Sequence, residues 1–217
     1  LNRSNATIKL DSYTISNNSI NSNYGKLLKA NDKQVLKEKI TIANSLQPTG
    51  PYWLNQKGSL GMYKVEDKNL IGKPETPRAI TIDFHLNING FPFTVTKDLV
   101  YRYSKPDKGE LYRPFEIIPE ASAKINQKVI IFENDKQRDI QVKIKAGKNN
   151  LDGYVQMEHP EGWSVYPDKQ KIALSNKDEE QTLTFTVIPP KNQNEGYLTP
   201  KVFVGDKVYS KELIEID

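Results

Sequence analysis

The chain has 217 residues, of which 31 are Lys or Arg and 27 Asp or Glu, giving a formal net charge of +4 at neutral pH, and it contains no cysteine. Disulfides, thiolate nucleophiles and sulfur-ligated zinc are therefore excluded together. The basic excess is scattered as single lysines among acids and amides, not gathered into the stripe that nucleic-acid binders use, so no nucleic-acid partner is expected. No stretch approaches the ~20 consecutive apolar residues of a membrane-spanning helix, so no membrane insertion is expected either. Apolar β-forming residues are too frequent for a disordered chain, and the length suits one large sandwich or two ordinary modules. The chain opens at Leu1-Asn2-Arg3 with neither an initiator Met nor a signal peptide, and reads as a piece of something longer.

From Asp32 to Ile40 two readings compete. Asp32 can cap a helix in which Leu36 and Ile40 are four apart. Leu36, Ile40 and Ile42 also share one face of a strand, with Glu38 the exception, and strand is the preferred reading. Residues 47–77 are punctuated by Pro and Gly too often for long strands. From Ile80 the period is two: every even position through Ile88 is apolar and every odd one polar. Asn89-Gly90 follows, and Phe91, Phe93 and Val95 then take the odd positions. A type I′ turn at Asn89-Gly90 sets Ile88 opposite Phe91, Leu86 opposite Phe93 and Phe84 opposite Val95, all on one face. Pro92 has no amide hydrogen, so its strand should lie at an edge or leave that amide position outside the ladder.

A strand is expected to end at Phe115-Glu116-Ile117-Ile118, with a boundary beside Pro119. Beyond it Ile140, Val142, Ile144 and Ala146 alternate with polar residues, and Leu183, Phe185 and Val187 alternate with three threonines. Val202 and Val204 lead through a turn at Gly205-Asp206 to Val208, and a last strand is expected over Glu212–Ile216. Short strands at this spacing predict an all-β chain of two tandem immunoglobulin-like β-sandwich domains: 1–118, with an elaborated loop 47–77, and 119–217.

Catalytic motifs are missing. His85 and His159 are far apart, with no HxxH, HxxxH or HxD pair to seed a metal site, which needs about three or four ligands. His85 falls on the polar face of a strand and His159 in a turn before Pro160. No nucleophile elbow or phosphate-cradling glycine loop is present. No catalytic, metal or cofactor-binding residue is expected, and the segment is not expected to be an enzyme.

Three constellations remain. Adjacent Tyr52 and Trp53 either stack on sugar rings or plug an open end of the sandwich. In the run from Tyr101 to Pro114, Arg102, Asp107, Glu110 and Arg113 surround a Pro-Asp-Lys-Gly turn. There Arg113 pairs with Glu110 or Asp107 to brace the turn, or the cluster binds a carboxylate or sugar hydroxyls. Trp163, at a strand start, reads as core packing.

The same residues carry a family resemblance. Gln47-Pro48, Pro51-Tyr52-Trp53-Leu54, Gly61-Met62-Tyr63, Asp67, Leu70-Ile71-Gly72 and Pro74-Glu75 form one signature. Tyr101-Arg102, Pro106-Asp107, Gly109-Glu110 and Tyr112-Arg113-Pro114 form a second. Together they resemble the region that follows the catalytic domain in long Bacteroidetes members of the LmbE-like, PIG-L-type zinc de-N-acetylases. Thr49-Gly50 interrupts the first signature, and Lys105-Pro106-Asp107 stands where the second has Asp-Pro. Pro160-Glu161-Gly162-Trp163-Ser164-Val165 and the Thr/Phe strand before Pro189-Pro190 are similar to the NPCBM-associated sandwich found beside glycosidase domains. The family's His-Pro-Asp-Asp motif and distal histidine have no counterpart here.

The resemblance implies accessory modules of an exported N-acetylsugar deacetylase, periplasmic or at the cell surface, whose zinc domain lies upstream of Leu1. The expected partners are that catalytic domain of the same polypeptide and a glycan, and the chain is expected to be a monomer. Two other functions fit the residues: a carbohydrate-binding module using Tyr52 and Trp53, and an adhesion or assembly module pairing through strand edges. The candidate glycan or interdomain contacts are Tyr52, Trp53, Arg102, Glu110 and Arg113.

Overall fold

A computed structural model describes residues 1–16, 21–43 and 45–214. Among them the protein is nearly all β, built from antiparallel sheets with no α-helix. It falls into two compact units, Leu1–Ile117 and Ile118–Asp217.

The first unit holds β1 (Ile8–Ile15), β2 (Asn21–Leu28), β3 (Thr81–Ile88) and β4 (Phe91–Asp98) in one sheet of order β2-β1-β3-β4. A separate two-stranded ribbon pairs β5 (Val100–Lys105) with β6 (Gly109–Pro114). The β3–β4 register is the one the alternation dictates: Ile88 faces Phe91, Leu86 faces Phe93 and Phe84 faces Val95. Asn89 (φ 51°) and Gly90 (φ 93°) both take the left-handed region that this turn requires. Pro92 lies on an edge strand, where its missing donor leaves no gap in an interior ladder. In β1 the register shifts between Leu10 and Ser12, which moves the inward phase from Ile8 and Leu10 to Tyr13 and Ile15.

Tyr13, Ile15 and Ile80 form the small core of this unit, with Leu36, Ile40, Ile42, Phe84, Leu99 and Phe115 packed against them. Residues 32–43 are neither helix nor strand. They run as an irregular segment that covers the sheet where a sandwich would place a second one. Glu38, out of place on a strand face, accepts a hydrogen bond from the buried Tyr13 hydroxyl. That bond pushes the Tyr13 phenol pKa up, since ionising it would put a second negative charge beside the carboxylate.

The second unit comprises β7 (Ala121–Ile125), β8 (Arg138–Ala146), β9 (Leu151–Glu158), β10 (Ser164–Tyr166), β11 (Gln170–Leu174), β12 (Glu180–Ile188), β13 (Thr199–Val204) and β14 (Lys207–Tyr209). Two four-stranded sheets, β10-β12-β8-β7 and β11-β9-β13-β14, share one core. Ile140, Val142, Ile144 and Ala146 are buried from one strand and Leu183, Phe185 and Val187 from its neighbour. Val155, Ile172, Val202 and Val204 close on them from the other sheet. Strand pleating sends alternate residues to opposite faces, so these apolar sets meet in a sandwich-like arrangement. Gly205-Asp206 makes the β13–β14 turn.

Besides the strand expected from Asp32, two further expected strand segments are not formed among the described residues. Residues 115–119 continue past β6 without regular pairing, because Ile117 hydrogen-bonds to the single residue Thr49 and not to a strand. Residues 210–214 are irregular, and the end of the expected last strand, 215–216, lies outside the described residues.

Candidate functional site

The loop 47–77 has no regular element longer than the one-turn 3-10 segments Tyr52–Leu54 and Lys68–Leu70, so its backbone polar groups must find individual partners. Thr76 serves as a pin: its hydroxyl donates to Gly50 O at 2.8 Å and accepts from Tyr52 N–H at 2.9 Å. The Tyr52 hydroxyl donates to Lys73 O at 3.0 Å, and its ring meets Trp53 edge-on, centroids 4.9 Å apart. Thr49 N–H donates to Ile117 O at 2.8 Å, while the Thr49 hydroxyl accepts from Ile117 N–H at 2.9 Å. Asp67 caps the second 3-10 turn by accepting from Asn69 N–H.

This geometry sorts the expected pair. Tyr52 is 8% exposed, so its ring is a packing element of the loop and not an open platform for a sugar. Trp53 is half-buried against it. Thr49 and Gly50, which interrupt the family signature, are among the residues that moor the loop. With its base tied down, the loop turns Leu54, Leu60, Met62, Tyr63 and Ile71 out to solvent. All five large apolar groups fall within residues 54–71 of this one loop.

The ribbon separates its charges by face. Lys108 N–H closes the turn on Lys105 O at 3.3 Å, and Gly109 follows in the left-handed region, φ 71°. On one face Glu110 takes the Arg102 guanidinium at 3.3 Å and the Tyr112 hydroxyl. That hydrogen bond holds the Tyr112 phenol above its ordinary pKa. On the other face Arg113 lies over Tyr101, 4.9 Å from the ring centroid, and over Tyr103 at 5.8 Å. The two rings are themselves stacked, 5.8 Å apart and 22° from parallel.

The expected Arg113–Glu110 or Arg113–Asp107 brace is thus replaced by Arg102–Glu110. Strand alternation explains the exchange, because Arg113 and Glu110 are three apart on one strand and point to opposite faces. Two tyrosines at i and i+2, facing an arginine across the strand pair, were the signal for the stack.

The histidines stand apart from any donor set. His85 sits between the hydroxyls of Thr14 and Thr94, each 3.2 Å from a ring nitrogen, and His159 is exposed beside Pro160 O. Among the described residues no group of three His, Asp or Glu side chains is arranged to hold a metal ion. Trp163 packs edge-on against Phe132 beside the core of the second unit.

Composition gives no hint of one further cluster. Glu120 joins Lys148, Lys207 and Tyr209, tying the start of β7 to the β8–β9 loop and to β14. Hydrogen bonds from the two ammonium groups, Lys148 first, hold its carboxyl at a pKa of about 2. The opposing shift of Tyr209 comes from burial first and from Glu120 second. No protein-family model matches the chain, and no curated protein matches it.

Proposed function

We propose that this chain is a non-catalytic accessory region of an exported N-acetylsugar deacetylase, with the second unit an immunoglobulin-like sandwich, and that it works by position. In this reading the zinc-dependent catalytic domain belongs to the same polypeptide, upstream of Leu1, and the accessory region docks on it and holds it near glycan in the periplasm or at the cell surface. The carrying observation is the loop 47–77. The residues that resemble the family signature lie in a segment moored by Thr49, Tyr52 and Thr76 and displaying Leu54, Leu60, Met62, Tyr63 and Ile71. A loop tied at its base and apolar at its tip suits docking, because little ordering entropy remains to be lost on contact. The carbohydrate-binding alternative has less support, since Tyr52 is buried.

Calorimetric titration of the chain against the deacetylase domain encoded upstream tests the reading. Saturable binding is expected, weakened at least about tenfold in the Leu60→Ser, Met62→Ser double variant. The chain alone should leave the acetyl groups of chitooligosaccharides intact. Turnover by the isolated chain, or no binding between the two parts, would contradict the proposal.

A further inference from the structure

Among the described residues neither outer edge of the β5–β6 ribbon is paired with another strand, and one of its faces carries cations without any acid. Rungs alternate between bonded and non-bonded along an antiparallel pair, and Phe115 N–H donates to Leu99 O at 3.4 Å one rung pair beyond Tyr101 and Arg113, so Lys105 and Gly109 are a bonded rung in the same register. Tyr103 with Leu111 and Tyr101 with Arg113 are then bonded too. The N–H and C=O groups of Arg102 and Ser104 consequently point away from β6, and β5 has no second strand beside it among the described residues.

The side chains next to that edge are Tyr101, Tyr103 and Lys105 on one face, joined by Leu111 and Arg113 from β6. The carboxylate of Glu110 is on the opposite face, engaged by Arg102 and Tyr112. Arg113 therefore stacks on the tyrosines without an ion-pair partner among the described residues, its planar fork held in place by the rings. Tyr101 stays 48% exposed beside it. A guanidinium fixed on aromatic faces has lost little freedom still to lose and is suited to a carboxylate.

We propose that β5 is a strand-addition site for an acidic, extended protein segment. The segment's backbone would bond to Arg102 and Ser104, and its side chains on the Tyr101 face would meet Arg113 at one end and Lys105 at the other. Those two levels are four residues apart along the strand, about 13 Å. The segment therefore carries acids at i and i+4, with a small or apolar residue at i+2 over the tyrosines. This site is separate from the loop 47–77 and does not rest on the deacetylase reading.

The test uses the full chain and a fluorescein-labelled nonapeptide of threonines with glutamate at its third and seventh positions and valine at its fifth. An isomer with glutamates at the third and sixth positions sends the second acid to the opposite face. Fluorescence anisotropy should show the isomer and the Arg113→Gln chain each binding at least about tenfold more weakly. Arg113→Lys should recover part of that loss, and added salt should weaken binding. Amide exchange by NMR should slow at Arg102 and Ser104 when the peptide is added. If Arg113→Gln fails to fold, Lys105→Gln, at an exposed position, should weaken binding about threefold. Equal binding of the two isomers, unchanged exchange at Arg102 and Ser104, or binding of polygalacturonate but not of the peptide would overturn the proposal.

Discussion

The two units bury their apolar surface by different means. In the second, seventeen buried apolar residues from two facing sheets make one core. In the first, the corresponding cluster has three fully buried members, Tyr13, Ile15 and Ile80, ringed by half-buried side chains from an irregular cover. Within each of the two facing sheets neighbouring strands satisfy one another's backbone groups, and the sheets present matched apolar faces to each other. A single sheet under an extended segment leaves part of its face open, as Phe91 at 76% exposed illustrates. The second unit accordingly has the larger buried core, and the first carries the exposed loop and ribbon that are candidates for contact. Elements engaged in binding are drawn from the less densely packed parts of a protein.

Substitutions can break this comparison. The largest effect is expected for Phe185→Ala, which empties the centre of the second core and should cost ~3–5 kcal/mol in urea unfolding. Ile80→Ala in the first unit should cost less, ~2 kcal/mol, because half-buried neighbours can settle into the space. A cost for Ile80→Ala equal to that for Phe185→Ala would remove the distinction between the units. Thr76→Val should cost about 1–2 kcal/mol, since Tyr52 N–H and Gly50 O lose their shared partner, and it should speed amide exchange at Tyr52.

The smallest effect concerns pH. Glu120 has a folded pKa of about 2, below its ordinary value of 4.5. Its contribution is therefore present above the ordinary value and is lost as pH falls from about 4.5 through about 2. Solvent access at the site limits that contribution to about 1 kcal/mol at most. Acid unfolding of Glu120→Gln should show a correspondingly shallower dependence across this range, and an unchanged slope would show that the lysines do not stabilise the carboxylate.

Period-two alternation made β8, β12, the β13–β14 hairpin and the β3–β4 hairpin legible in advance. In those segments a residue's face follows from its parity, and Asn89-Gly90 and Gly205-Asp206 mark the reversals. Parity assigns faces but not cover: Phe91 and Phe93 share the face of Phe84 yet lie open to solvent. Residues 32–43 were misread for a related reason, because an apolar spacing that favoured a strand over a helix also fits an irregular cover. At the candidate sites Tyr52 and Arg113 stood out as residue types. Their partners Thr76, Lys73 and Tyr103 depend on chain reversals that carry no periodic signal. The pairing of Arg102 with Glu110 was within reach of the alternation rule, which places Arg113 on the other face.

Hydrogen–deuterium exchange of the chain, alone and with the upstream deacetylase domain, tests the docking account most directly. The account predicts protection concentrated over residues 54–71, where Leu54, Leu60, Met62, Tyr63 and Ile71 are exposed in the free chain. Unchanged exchange across that loop, or protection confined to the second unit, would contradict it.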